Sequence, residues 1–523
     1  MPRRLTIAAI TACLVLATAC SSSGKSNTGK AERAAKTSEC PAVEKGVVDN
    51  TATFTWMYTA GNTSFDPDKI TTNNSQMYLY PIYDSLVRIN AEGSPEPMLA
   101  KKWAVDGKSM TLDLIQGWTY HDGTSFDAAS VKANLDRHRA KGSWNEAALK
   151  DVTGVTVVDS DTVKIETTNG AAPLVSVLAS SAGMMMSPAV FDDPSQALTP
   201  TGGSGAFKLG EYASATSAEY LAVDKYWDPD SLHVARMVYL VSTDDNARLN
   251  SVISGSSDST FLRASMYEPA KQAGLVVCEA PSLSSYTINL NVEKSEFGKP
   301  EVRQALNYAI DRSAIASVLD GFCKPGVQMY PTSYYASNPD LTEEDYAYDP
   351  GKAKDLLEKA GLKNGFGFTV EVSSADIYTQ MAEIVQANLA EIGVKMEIIP
   401  ADLGKLAEDF SVNKTAEALL FEQKAESDPS IQIESYYIKG GFNNPGNFSD
   451  DKVTSLNDEA KAGATTEERS ATYKKLYQAV YDAVAPNITL CHLTTPFTMN
   501  KKTMGVEIYA DASRQFRGVA IKK

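Results

Sequence analysis

The sequence predicts a large mixed α/β chain divided into two to four structural units. Three observations predict it. At 523 residues the chain is too long for a single core, since domains run to about 100 to 200 residues. Strand-like and helix-like patterns alternate along it without a repeat period. The segment from Phe368 to Ile399 reads as strand, helix, strand: Met381, Ile384, Val385 and Leu389 share one helical face, Gly393 closes the helix, and Val394 begins the next strand. That order is the crossover of a partly parallel sheet.

Thr53 to Tyr58 is dense in β-branched and aromatic residues and runs into the turn pair Gly61-Asn62, as a first strand should. Met110 to Leu114, Gly117 to Tyr120, Val155 to Val158 and Thr162 to Glu166 read as further short strands, divided by the turn pairs Asp106-Gly107 and Asp122-Gly123. The later half carries longer amphipathic helices. After Pro300, apolar residues fall at Val302, Ala305, Leu306, Ala309 and Ile310, one face at helical spacing. Asp349 and Pro350 supply the N-cap and first-turn proline of a helix that Gly361 ends. Thr465 with Glu468 forms a capping box ahead of a helix bearing Leu476, Val480 and Val484 on one side.

Composition narrows the function classes. With 43% hydrophobic and 22% charged residues, neither wholesale disorder nor a polytopic membrane protein fits. Acidic residues outnumber basic ones 65 to 49, a net charge of −16, and no dense basic run offers a nucleic-acid footprint. Arg3 and Arg4 precede an apolar stretch from Leu5 to Ala17, shorter than the twenty or so residues that cross a bilayer, so residues 1–19 read as a secretory signal. Leu16-Ala17-Thr18-Ala19-Cys20 resembles a bacterial lipobox with Ala17 in place of the usual Leu; it makes Cys20 the lipidated N-terminus, with simple secretion as the other reading. Residues 20–45, rich in Ser, Lys, Ala, Gly and Asn, suit a flexible tether, which places the chain on the outer face of the cell membrane, held there by lipid alone.

Four cysteines remain after Cys13 and Cys20: Cys40, Cys278, Cys323 and Cys491. In an oxidising compartment they permit two disulfides in three pairings; Cys323 with Cys491 and Cys40 with Cys278 is the one we favour, against buried free thiols. The chain lacks a G-x-S-x-G elbow and an H-E-x-x-H helix, and Gly202-Gly203-Ser204-Gly205 is not followed by the Lys-Ser or Lys-Thr of a phosphate loop, so no enzyme is expected. His121, His138, His233 and His492 read as structural histidines and Met184-Met185-Met186 as core filler, so neither a metal site nor a cofactor is expected.

Four ordered blocks carry a resemblance. The first is Tyr83-Asp84-Ser85-Leu86-Val87, Pro97 to Trp103, Trp118 to Gly123 and Phe126-Asp127-Ala128; the second is Gly203 to Phe207 with Asp224-Lys225-Tyr226-Trp227. The third, the most specific, is Asn289-Leu290-Asn291 with Val302-Arg303-Gln304-Ala305-Leu306-Asn307-Tyr308-Ala309-Ile310-Asp311-Arg312 and Tyr348-Asp349-Pro350; the fourth is Asp428-Pro429 with Asn443-Asn444-Pro445-Gly446. Together they resemble the extracytoplasmic solute-binding proteins of peptide and nickel ABC importers. The resemblance implies a two-lobed, periplasmic-binding-protein-like fold of the type II, three-domain cluster, with mixed sheets and crossing strands between the lobes. Lobe I then takes residues 46–82, 206–284 and 495–523, a small inserted domain takes 83–205, and lobe II takes 285–494. It further implies a monomer that encloses peptide or another small solute and serves ABC permease subunits. Oligosaccharide or metal-chelate binding, or envelope regulation by a lipoprotein without transport, are the alternatives.

Peptide-binding members hold the ligand's α-amino group with an Asp three residues before an Asp-Pro pair, where this chain has Ala425. Glu422 and Glu426 are the candidate substitutes, since a desolvated carboxylate pairs well with an ammonium group; surface charges beside Lys424 are the other reading. Some dipeptide-binding members add an Arg after the strand at Val370, yet between Gly367 and Lys395 no basic residue occurs. Loop position nominates Tyr58, Asn62 and Ser64 near the end of the first strand, and Tyr436, Tyr437, Phe442 and Asn443 beyond the Asp-Pro turn, with packing as the competing role.

Overall fold

The computed structural model describes residues 40–70, 72–319, 321–426 and 428–523; the signal, Cys20 and most of the tether lie outside the described residues. Eight strands position the site: β1 (Thr53–Tyr58), β2 (Arg236–Val241), β3 (Ser259–Thr260), β4 (Val276–Leu290), β5 (Gly367–Ser373), β6 (Lys395–Ala401), β7 (Ala418–Gln423) and β8 (Asn487–Met499). They lie in one eleven-stranded sheet in the order β6-β5-β7-β4-β8-β3-β1-β2, continued by Ser217–Ala222 and Phe207–Ala213, with Cys323–Pro325 pairing β8. Strand β1 pairs in parallel with β2 and β3, and β5 pairs in parallel with β6 and β7. Between these two parallel groups run β4 and β8, antiparallel to each other.

The directions follow from the pairings. Because β3 and β4 are both antiparallel to β8, the β1-β2-β3 group runs the same way as β4; β7 is antiparallel to β4, so the β5-β6-β7 group runs the opposite way. The C-terminal ends of the two groups therefore point toward each other. Thr260 at the end of β3 is level with Thr498, and Gln423 at the end of β7 is level with Ser285, opposite His492. Six ladder steps along β8 separate those levels, about 20 Å at about 3.3 Å per residue. Within that gap β4 bulges: Pro281 lies opposite Thr494 and Ser285 opposite His492, four steps against two. The bulge frees the Leu283 N–H, which donates to the Ala510 carbonyl at 2.7 Å.

Separate cores sit on either side. One half buries Phe54, Trp56, Phe497 and Phe516, with Trp56 stacked on Phe497 at 5.2 Å between centroids. The other buries Ile288, Leu306, Val370, Val385 and Leu490. A third core, holding Leu86, Leu112, Val131, Val163 and Leu178, lies under a four-stranded antiparallel sheet of Ala100–Asp106, Ser109–Leu114, Thr162–Thr167 and Val152–Val157.

This third unit is tied to the first half through buried charge. Asp68 accepts from His138 Nδ1 at 2.7 Å, Ser143 Oγ at 2.7 Å and Asn145 Nδ2 at 2.9 Å, and pairs with Arg137, which also binds Asp66. Asp84 accepts from the Tyr226 hydroxyl at 2.7 Å and the Trp227 indole at 2.5 Å.

Several sequence expectations are met at their boundaries. The first strand spans Thr53–Tyr58, Pro300 opens the helix Pro300–Ala309, Asp349 accepts from the Lys352 N–H at 2.8 Å, and the Phe368–Ile399 segment forms the parallel pair β5 and β6 around the helix Asp376–Glu391. Both favoured disulfides are present, with Cα separations of 5.1 Å for Cys40–Cys278 and 5.5 Å for Cys323–Cys491.

Three details differ. Gly117 to Tyr120 is not a strand but a turn with a single bridge from Thr119 to Ser125, because the backbone bonds close locally: Tyr120 N–H donates to Thr124 and Phe126 N–H to Trp118. The Glu468 carboxylate reaches back to the Ala464 N–H at 2.9 Å rather than to that of Thr465, so the capping box is one-sided. Val484 lies past the helix end at Asp482, in the left-handed region at φ 47°. Among the described residues no helix is long and apolar enough to cross a membrane.

Candidate functional site: the gap between the strand ends

Open α/β sheets bind ligands beyond the carboxyl ends of their parallel strands. Here two such sets of ends share one gap. On the β1 side stand Tyr58, the last residue of β1, and Phe261, directly after β3, with rings edge-to-face at 5.7 Å. The Arg514 guanidinium lies 5.1 Å from both ring centres.

On the β7 side stand Glu422 near the strand end and Glu426 just beyond it, with Tyr378 from the helix after β5. Tyr378 stacks on Phe421 at 5.5 Å and meets Tyr286 edge-on at 5.5 Å. Desolvation raises the carboxyl pKa of both glutamates, Lys424 offsetting it in part at Glu422. Glu426 is nevertheless open to solvent. An accessible yet desolvated carboxyl marks a concave wall. Among the described residues neither glutamate has an ion-pair partner.

The other sequence candidates divide. Glu426, Phe442 and Asn443 line a common cavity of about 520 Å³ with Ser435, Lys439 and, from the third unit, Lys150. A neighbouring cavity of about 300 Å³ shares Glu426 and adds Leu174 and Val177. Phe442 is 59% exposed, whereas Asn443 is fixed by Ser411 and Ser435. Asn62 and Ser64 are buried: the Asn62 amide donates to the Ser64 carbonyl at 2.8 Å, and Ser64 Oγ accepts from the Asp66 N–H at 3.1 Å. These two brace their loop rather than face solvent. Tyr437 is likewise a core residue at 1% exposed, because the helix Pro429–Tyr437 turns it inward against Tyr477 and Val480. Tyr436 on the same helix is half-buried, its phenol pKa raised by burial.

Sequence reasoning missed Arg514, Phe261 and Tyr378. The strand assignment around Val370 carried a signal for Tyr378, since the first turn after a parallel strand faces the ligand side. No local pattern pointed to Arg514. Besides His138, two histidines are bound within the scaffold: His121 Nε2 donates to the Gly205 carbonyl and His492 Nε2 to that of Gln328, and burial lowers both to about 4. Met184, Met185 and Met186 are fully buried. Among the described residues no group of three or more His, Cys, Asp or Glu is placed to hold a metal ion.

Comparison with known proteins fits this geometry. The family model described as bacterial extracellular solute-binding proteins, family 5 middle, matches residues 94–444. The glutathione-binding protein GsiB of Escherichia coli O6:K15:H31 is 30% identical over 358 residues, 66% of this chain and 69% of that one. GsiB of Salmonella typhimurium is 31% identical over 366 residues, with the same coverage of 66% and 69%. Among solved structures, HbpA2 from Haemophilus parasuis superposes with a TM-score of 0.81 at 22% identity, covering 90% of this chain and 100% of that one. DppA from Helicobacter pylori, in complex with the peptide STSA, gives 0.70 at 23%, covering 90% and 98%. With two facing half-sheets, an added third unit and a family match over most of its length, the chain belongs to the bacterial extracellular solute-binding proteins of family 5.

Proposed function

We propose that this chain is the membrane-tethered substrate-binding component of an ABC importer and that it takes a peptide-like solute into the gap between the strand ends. Lobe I at 46–82, 206–284 and 495–523, with the insert at 83–205, closes on lobe II at 285–494. The observation that carries the reading is the pair of unpartnered, desolvated carboxyls, Glu422 near the end of β7 and Glu426 just beyond it. A site built this way favours a ligand bearing an ammonium group. Relatives named for glutathione and seen with a peptide support the same class. Tyr58, Tyr436, Phe442 and Asn443 then form the walls, while Asn62, Ser64 and Tyr437 hold their shape. Closure follows to the extent that solute binds the closed state better than the open one.

Thermal unfolding of the purified chain lacking residues 1–20, with and without pooled di- and tripeptides, tests this. A peptide at about a hundredfold its Kd adds about 2.7 kcal/mol to stability. No stabilisation by any peptide, with a response to oligosaccharide instead, contradicts the reading. The chain acts as a monomer anchored through Cys20, with residues 1–19 removed. Cys20→Ala is expected to release it from the membrane fraction, and retention of that variant contradicts the anchor.

A further inference from the structure

Arg514 stands apart from the other buried or half-buried arginines of its half and of the adjoining third unit. Arg137 is bound by Asp66 and Asp68, Arg248 by Asp245 and two carbonyls, and Arg517 by Asp228 and the Tyr226 hydroxyl. Arg514 has one long bond, to the Ala512 carbonyl at 3.4 Å, and among the described residues no carboxylate within ion-pair distance, although its charge reaches the Asp511 carboxyl. Its position is set by two aromatic faces instead, Tyr58 and Phe261, each 5.1 Å away. A guanidinium held by ring contacts rather than by a carboxylate keeps N–H donors free for a bidentate acceptor.

A second observation points to the same place. Trp56 is fully buried, and its indole N–H has no hydrogen-bond partner. Trp56 and Arg514 line one recess with Thr260, Thr495 and Ser513. Thr495 belongs to the stretch of β8 between the two sets of strand ends, so this recess adjoins the gap. Its free volume is about 10 Å³, room for about one water, and most of its wall is apolar. The acid on its wall, Glu507, accepts from the Tyr509 hydroxyl at 2.9 Å. Backbone strain marks the segment as well: Ala512 and Phe516, on either side of Arg514, both occupy the left-handed region, at φ 61° and 52°.

We infer that Arg514, set against the paired rings of Tyr58 and Phe261 and helped by the Trp56 N–H, binds a carboxylate of the solute. The inference rests on the peptide reading above and deepens it. Ammonium goes to Glu422 and Glu426 on one side of the gap, carboxylate to Arg514 on the other, so the favoured solute is a short zwitterion with a free C-terminus.

The test compares pooled tripeptides as free acids and as C-terminal amides, titrated into the purified protein and its R514Q and R514K variants. The free-acid pool is expected to bind wild type at least tenfold more tightly than the amide pool. R514Q abolishes that preference and R514K keeps part of it, while thermal unfolding without ligand reports whether each variant is folded. Equal binding of acid and amide by wild type, or an acid preference that survives in folded R514Q, overturns the inference and leaves the peptide reading standing. Binding of neither pool overturns the peptide reading and this inference with it. W56F, which keeps the ring and loses only the N–H donor, is expected to weaken the acid preference without abolishing it.

Discussion

Arg303 and Arg312, the two arginines of the most specific sequence block, spend their guanidinium groups on backbone carbonyls. Arg303 donates to Val484, Ala483, Phe297 and Gly298, and Arg312 to Gly326, Thr489, Asn307 and Tyr346. The residues that made the family recognisable are thus largely scaffold. The same holds for Asp428, which is fully buried, capped into Ser430 and bound by both terminal nitrogens of Arg469 at 2.7 and 2.8 Å.

Asp68 gives a residue-scale prediction. Burial alone would raise its carboxyl, but the hydrogen bond and charge of His138 and the charge of Arg137 hold it well below the usual range. Removing one partner of a buried charge network costs about 3 to 5 kcal/mol, so Asp68→Ala is expected to lose that much in urea unfolding. A depressed carboxyl contributes stability above the unfolded value of 3.8 and loses it as pH falls through the folded one, so wild type softens below about pH 4.

The histidines add a second window. His121 and His492 are neutral in the fold with pKa about 4 against 6.5 unfolded, so the unfolded chain gains protons first as pH drops from about 6.5 to about 4. Unfolding midpoints at pH 7.5 and 5 are expected to differ for wild type and to draw closer in His492→Gln. For binding, Glu422→Gln with Glu426→Gln is expected to weaken a cationic peptide at least tenfold in calorimetry; unchanged affinity contradicts their role.

At the scale of elements, β4 and β8 are each crosslinked at one edge of the gap. Cys278, the first residue of β4 past the β3 level, is bonded to Cys40, and Cys491 on β8, beside His492, is bonded to Cys323. Each strand also carries one proline within the gap, Pro281 and Pro496, which removes a ladder donor there. Converting Cys40 and Cys278 to alanine is expected to cost about 2 to 5 kcal/mol in chemical unfolding, and a change near zero contradicts a structural role. Gly365 closes the helix-to-strand turn before β5 at φ 76°, and a Cβ there would lie 1.8 Å from the Gly393 carbonyl oxygen. Gly365→Ala is accordingly expected to lower the melting temperature by several degrees.

Over the whole molecule, the legible parts of the sequence were those decided locally. The first strand, the capped helices and the crossover unit each follow from period, cap and turn chemistry within about 30 residues. Gly117 to Tyr120 failed because its aromatic content mimics a strand while Asp122-Gly123 folds it back on itself. Glu422 and Glu426 were nominated through their offset from Asp428-Pro429. Arg514 was not, since its surroundings come from the ends of β1 and β3, far away in sequence. Tyr437 and Asn62 show the converse: position in a loop or after a turn does not say which way a side chain points, and packing turned both inward.

Hydrogen–deuterium exchange with and without a bound tripeptide addresses the two-sided gap directly. Slowed exchange is expected together at residues 58–62, 261–263 and 510–514 on one side and at 421–426 and 376–380 on the other. Protection restricted to one of these sides contradicts capture between the strand ends.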